Sequence, residues 1–224
     1  MKSNITQLLM LNQMAGPLFR ELAEDLSVKF PKTSELYTGH PDTLKFVGKI
    51  GTLNITKSPR YNRKSKITRI VSWLKYTFFA LFKIIFAPKG TLIIIVSNPP
   101  LIGPLAWFVS KIRRLPYIVL IYDMHPDTMI SFGVLRENSI PVRVWRIINK
   151  HVWEGSHAVY TIGDVIAEKL SEQFDVNKTH LKYVGIIPPW ADTENIKPID
   201  KSMNPLANEL GQLNCLTVLY SGNM

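Results

Sequence analysis

Two stretches constrain the fold more than any other feature of the chain: TLIIIVS at 91–97 and PYIVLIY at 116–122. Both are unbroken apolar runs rich in β-branched residues. Neither alternates as a strand with one wet face would. Such strands are buried on both sides, which a parallel sheet covered by helices provides. The 103–114 segment between them reads as the connecting helix. The same alternation runs through the chain. Strands are predicted at 5–11, 158–162 and 181–187, and weaker ones at 35–38 and 52–56. A helix is predicted at 18–26, with Leu18, Leu22 and Leu26 on one face and Pro17 in its first turn. A second spans 141–154 with Val144, Ile148 and Val152 as its apolar face, and a third runs from the N-cap Asp164 to 174. Right-handed crossovers then give an α/β fold, a doubly wound Rossmann-like parallel sheet.

The 224 residues are 46% hydrophobic and 20% charged, enough for a real core and too apolar for disorder. One domain accounts for 1–190. Polar, aperiodic sequence at 191–213 reads as a linker. Leu216 to Tyr220 reads as a fresh strand with Cys215 as core, so 214–224 is expected to open a second domain, with the chain cut off there. A single cysteine excludes an internal disulfide framework. No P-loop, nucleophile elbow or HExxH motif occurs, and no metal or cofactor is expected.

Charge is unevenly placed. Between Asp42 and Asp123 there is no acidic residue, and that stretch holds 14 of the 27 Lys and Arg. The remainder has 13 basic and 17 acidic residues, so this third of the chain carries the positive excess. Phosphates are the natural partners of such a surface. The longest apolar stretch, 70–86, contains Lys75 and Lys83 and is too short and too charged to span a bilayer. On a helix over 68–87, the polar residues Thr68, Arg69, Ser72, Lys75, Tyr76 and Lys83 share an arc of about 120°. The rest is apolar, while Phe79 and Phe86 fall on the polar side. A sheet-covering helix explains one apolar face and not the extra aromatics. With Lys57, Arg60, Arg63, Lys64 and Lys66 before it, the segment reads as contacting an anionic membrane surface. No nucleic-acid-binding motif accompanies it, so nucleic acid is not expected as a partner.

In an open parallel sheet, ligands bind beyond the carboxyl ends of the strands. Asp123, His125 and Asp127 follow the 116–122 strand. Two carboxylates around an imidazole suit a base, an electrostatic stabiliser or a hydroxyl anchor. An Asx-type turn explains the same residues without chemistry. Asn12 and Gly16 can set a helix N-terminus toward an anion, or simply make a packed turn. Asn98 is a candidate amide contact in a loop-ending Asn98-Pro99-Pro100.

Four segments carry a family resemblance: LLMLNQMAGPLFRELAEDL, IIIVSNPPLIGPLAWFVSKIRRLPYIVLIYDMHPD, HAVYTIGDVIAEKL and IIPPWADTENIKPI. With them the chain resembles the N-terminal half of family-4 glycosyltransferases of the GT-B fold, of the type that builds bacterial O-antigen, capsule or exopolysaccharide. The closing VLYSGNM is similar to the opening of their C-terminal domain. Two positions depart from the pattern. Gly16 stands alone where a Gly-Gly pair is usual, and Pro189 takes the place of an Asn. The resemblance implies retaining sugar transfer from a nucleotide-sugar donor, a substrate held mainly by the second domain. The acceptor would be a lipid-linked glycan or polysaccharide at the inner face of the plasma membrane, with the protein cytoplasmic and peripheral. It implies that His125 lies near the reacting sugar, that Asp127 engages an acceptor hydroxyl, and that Asp123, Asn12, Gly16 and Asn98 line the acceptor side. The membrane contacts expected are Arg60, Arg63, Lys64, Lys66, Arg69, Lys75, Phe79, Lys83 and Phe86. A non-catalytic membrane-surface module, or an inactive remnant, is the alternative.

Overall fold

A computed structural model describes residues 5–173, 184–191 and 196–219. The chain divides into two units, Met1–Pro189 and Trp190–Met224. The first holds an eight-stranded sheet of order β3-β4-β2-β1-β5-β6-β7-β8. Its strands are β1 (Gln7–Leu11), β2 (Ser34–Thr38), β3 (Gly48–Ile50), β4 (Leu53–Lys57), β5 (Thr91–Val96), β6 (Tyr117–Ile121), β7 (Ala158–Thr161) and β8 (Val184–Ile186). All neighbours pair in parallel except the short edge strand β3, which runs antiparallel to β4 and has no counterpart in the sequence reading. The expected 181–187 strand is seen at Val184–Ile186; its first three residues lie outside the described ones.

The side-chain period of two sorts each strand between two cores. Leu9, Leu11, Ile93, Ile95, Val119 and Ile121 face one side, and Leu8, Met10, Leu92, Ile94, Val96 and Leu120 face the other. Helix α1 (Pro17–Ser27) covers the second side with Phe19 and Ala23. Helices α2 (Lys66–Ile85), α3 (Ile102–Arg113), α5 (Ile140–Glu154) and α6 (Asp164–Gln173) contribute to the first. The step from β1 to β2 moves one way along the sheet. The steps through α2, α3, α5 and α6 move the other way. Right-handed crossovers therefore send α1 to one face and the rest to the opposite face.

Three helices turn differently from the sequence reading. On α1, Leu18 is exposed, Leu22 and Leu26 are partly buried, and the buried stripe is Phe19, Ala23 and Ser27. On α5, Val144 and Ile148 are exposed, and the buried stripe is Val142, Val152 and Trp153, with Trp145 and Asn149 half-buried beside it. That stripe contains a polar residue, so a count of apolar positions passes over it. On α2 the inversion is larger. The sheet-facing residues are Ser72, Tyr76, Ala80 and Ile84, two of them from the supposed polar arc. Small Ser72 and Ala80 allow close approach to the sheet. The polar atoms are satisfied: the Tyr76 hydroxyl donates to Tyr37 O (3.4 Å), and Ser72 Oγ donates to Arg69 O (2.7 Å). The Tyr76 ring stacks on Tyr37 at 5.5 Å. Lys83, half-buried, reaches Glu35 Oε1 at 2.5 Å.

The second unit contains a short helix, α7 (Pro205–Glu209), capped by the Asn204 side chain, which accepts from the N–H groups of Leu206 and Ala207. The expected strand at 216–220 is absent from 216–219, which are exposed and unpaired with any strand, and Tyr220 lies outside the described residues. Cys215 is exposed, not core. Strand geometry needs a neighbouring strand for its N–H and C=O groups, and among the described residues none pairs with 216–219.

The inverted α2 predicts an asymmetry in stability. Tyr76 has no exposed surface, whereas Phe78 is 57% exposed. Tyr76→Ala is expected to cost about 3–5 kcal/mol, the scale of deleting a buried aromatic ring. Phe78→Ala is expected to stay within about 0.5 kcal/mol, the usual range for surface substitutions. Urea-unfolding midpoints of the two variants check this. Equal losses would mean that the helix packs through its apolar arc.

Candidate functional site

In the sheet order β1 lies between β2 and β5, so the chain leaves β1 in one direction and later continues from β5 in the other. The loops after β1 and β5 diverge there and leave a crevice at the carboxyl edge. A cleft of about 310 Å³ occupies that position, lined by Asn12, Met14, Gly16, Pro17, Leu18, Phe19, Val96, Asn98, Tyr122 and Asp123. Four residues expected on the acceptor side, Asn12, Gly16, Asn98 and Asp123, thus meet around one space.

The walls are held by short-range bonds. Asn12 Oδ1 accepts from the Met14 N–H at 3.0 Å, an Asx turn that buries Asn12. Gly16 precedes α1 in extended conformation, and Pro17 opens the helix, so the first turn of α1 forms one wall. The His40 ring lies against Gly16, where an added Cβ would come within 3.7 Å of its Nε2. On the other wall, Ser97 Oγ accepts from the N–H groups of Tyr122 and Asp123, both at 3.2 Å. That hydroxyl ties the loop after β5 to the loop after β6. The Asn98–Pro99 and His125–Pro126 bonds are cis.

His125 lines a small recess that shares Val96 and Asp123 with the cleft, together with Ser97, Trp145 and Asn149. With about 30 Å³, it has room for one water. Asn149 Nδ2 donates to His125 O at 2.6 Å, and the Trp145 ring lies 6.0 Å from the imidazole. Nδ1 of His125 is buried without a hydrogen-bond partner. Burial lowers the pKa of His125 below its ordinary value, and the nearby Asp123 carboxylate opposes that shift. The imidazole is therefore neutral at physiological pH, able both to accept and to donate a hydrogen bond.

Of the expected catalytic and acceptor-binding residues, Asp127 alone lines neither space. It begins the short helix α4 (Asp127–Ser131), and its Oδ1 pairs with Arg146 at 2.6 Å. The expected membrane set lies elsewhere, in the loop before α2 and along that helix; it is exposed except for half-buried Arg69 and Lys83, and Lys83 is drawn to Glu35 of β2. Sequence reading missed Ser97, Trp145, Arg146 and Asn149. Three of these come from α5, and no spacing along the chain connects them with residues 123–127. Among the described residues, no three His, Cys, Asp or Glu side chains gather so as to hold a metal ion.

No family model matches the chain. The probable glycosyltransferase WbjE of Pseudomonas aeruginosa is 20% identical over 153 residues, covering 68% of this chain and 37% of that protein. Among solved structures, Phytolacca americana UGT2 complexed with UDP-2fluoro-glucose and pterostilbene superposes with a TM-score of 0.50 at 10% identity. That match covers 87% of this chain and 55% of the other. The structural likeness establishes the fold class, a Rossmann-like α/β half of a GT-B architecture. The chain spans 37% and 55% of the lengths of the two proteins it matches.

The lowered His125 pKa has a consequence for stability. Between the folded value and the ordinary 6.5, the unfolded chain binds a proton that the folded chain does not. The contribution is complete above pH 6.5 and falls as the pH drops toward the folded value. Urea titrations just above and below that pH should show the native protein losing more stability than His125→Asn. Identical pH slopes would mean that the imidazole is not desolvated.

Proposed function

We propose that the chain forms the acceptor-binding half of a glycosyltransferase that moves a sugar from a nucleotide-sugar donor to a lipid-linked or polysaccharide acceptor. One observation carries this reading: the switch-point cleft gathers Asn12, Gly16, Asn98 and Asp123, with His125 in the recess beside it. The likeness of sequence to a probable glycosyltransferase supports it, as does a fold shared with a protein solved with a sugar-nucleotide analogue. The O-antigen or exopolysaccharide type of acceptor follows from the family resemblance.

In this reading the cleft binds acceptor hydroxyls. The Asn98 amide and the Asp123 carboxylate offer a donor and an acceptor of hydrogen bonds at its rim. Neutral His125 sits beside the reacting sugar, where it can hydrogen-bond a hydroxyl without adding a full charge. Asp127 receives an acceptor hydroxyl on the carboxylate oxygen that is not bonded to Arg146, and the ion pair orients it. Transfer with retention develops charge on the leaving phosphates and the sugar ring. The donor half of the enzyme would answer the phosphate charge.

Titration of the 224-residue chain with a soluble short-prenyl diphosphate-linked monosaccharide, followed by amide chemical shifts, tests the cleft. Saturable shifts at Asn12, Asn98 and Asp123 are expected, weakened at least tenfold by Asp123→Ala, and a nucleotide sugar alone should leave these residues unmoved. Binding of the nucleotide sugar with no response to the acceptor analogue would overturn the assignment. In the two-domain enzyme that this reading implies, His125→Ala and Asp127→Ala should each lower kcat by about 10²-fold, the scale of a positioned acid–base group. Near-normal turnover in both variants would reduce the loop to a structural turn.

A further inference from the structure

Helix α2 presents to solvent the face that a helix of a soluble protein ordinarily buries. Ile67, Ile70, Leu74, Phe78, Phe82 and Phe86 are all exposed, Ile67 and Phe86 by about three quarters of their surface. Their spacing of three or four residues keeps them within an arc of about 160° and draws them into a stripe about 28 Å long. The rings touch one another: Phe78 meets Phe82 edge-on at 5.2 Å, and Phe82 stacks on Phe86 at 6.5 Å. Contiguous apolar surface of this kind on a soluble chain marks a contact with something else.

The charges around the stripe identify that contact. Arg60, Arg63, Lys64 and Lys66 are exposed at its N-terminal end, and Lys75 is exposed along its edge. Residues 43–122 contain no Asp or Glu, so no acidic side chain of this segment offsets them. A protein partner usually meets a mixed rim of both signs. Glu35, which lines a hollow with Phe82 and Phe86, is paired with Lys83, so the charge left beside the aromatic and aliphatic stripe is positive and matches phosphate headgroups above acyl chains. The opposite face of α2 is packed on the sheet through Ser72, Tyr76, Ala80 and Ile84, so the helix can lie along a bilayer while the domain remains folded. Among the described residues, no helix is long and apolar enough to cross a membrane.

The same helix is fastened to the cleft. Gln13 lies in the loop between Asn12 and Gly16 and is fully buried. Its Nε2 donates to Pro59 O, in the basic loop, and to Ser72 O, in α2, both at 3.1 Å. Gly39 donates its N–H to Gln13 O, and an added Cβ on Gly39 would lie 2.7 Å from Pro59 O. The cleft loop, the basic loop and the start of α2 are therefore tied to one another through Gln13.

We propose that α2 is an interfacial helix, with its outward stripe in the headgroup–acyl boundary of an anionic bilayer and Arg60, Arg63, Lys64, Lys66 and Lys75 on lipid phosphates. Gln13 bonds this helix and its basic loop to the loop that lines the cleft. The membrane contact stands independently of the transferase reading; only the statement that the cleft mouth receives a lipid-linked acceptor rests on it.

Vesicle co-sedimentation of the 224-residue chain tests the contact without any sugar. Binding is expected to phosphatidylcholine vesicles containing phosphatidylglycerol and to be at least tenfold weaker to phosphatidylcholine alone. It should weaken with added salt. Reversal of the exposed loop residues, Arg63→Glu, Lys64→Glu and Lys66→Glu together, should lower affinity for the anionic vesicles at least tenfold. Phe78→Ser with Phe82→Ser should do so while keeping the native melting temperature to within a few degrees. If that pair does not fold, Ile67→Ser, near the end of the helix, takes its place. Equal binding to neutral and anionic vesicles would overturn the proposal, as would binding indifferent to the stripe. A concentration-dependent dimer in solution, abolished by the Phe78 and Phe82 changes, would overturn it in favour of a second copy of the chain. Failure here leaves the acceptor titration of the cleft untouched, and failure of that titration leaves vesicle binding untouched.

Discussion

The parallel pairing of β1 with β5, from Gln7 opposite Thr91 to Leu11 opposite Ile95, is the contact on which the rest of the domain depends. It joins the part of the chain built from α1, β2 and β4 to the part built from α3, β6 and β7. It also forces the chain to leave β1 and β5 in opposite directions. A crevice at the carboxyl edge follows from that divergence and needs no special residues. What the residues add is its chemistry: a buried Asx turn on one side, a serine hydroxyl joining two loops on the other, and a cleft walled by a helix start.

Packing sets the state of the His125 side chain in its recess. Asn149 holds the loop backbone, Trp145 covers the ring, and burial keeps the imidazole uncharged. A neutral histidine with an unpaired buried nitrogen costs free energy unless a water or ligand reaches it. Positions where a fold carries such a cost are where function is sought. Asp127 has a different setting, half-exposed and held in place by its ion pair with Arg146.

Helix α2 departs from the usual division between core and surface. A soluble helix gains most by burying its apolar arc. This one buries two small residues, a satisfied tyrosine and an isoleucine, and leaves isoleucines, leucine and phenylalanines in water. The arrangement is costly in water, and the proposed bilayer contact would remove the same area from it.

The sheet was legible because fully buried parallel strands write themselves as unbroken apolar runs. The runs at 91–97 and 116–122 needed no tertiary information to be recognised, and the order of strands and helices followed from their alternation. Loops at strand ends were also legible as candidates, since the chemistry of a parallel sheet gathers there. Antiparallel β3 was not: its three residues, Gly48, Lys49 and Ile50, carry too little pattern. Nor was the choice of packed face on α2 and α5. Apolar residues occupy so much of α2 that counting them cannot distinguish inside from outside, and the decision falls to size, through Ser72 and Ala80, and to the partner that Tyr37 offers Tyr76. The convergence of Asn12, Asn98 and Asp123 on one cleft, and of Ser97, Trp145 and Asn149 around His125, was likewise settled only in three dimensions. Local sequence determines which residues favour strand, helix or turn. Which distant side chains meet depends on register and crossover, and these are set by the whole sheet at once.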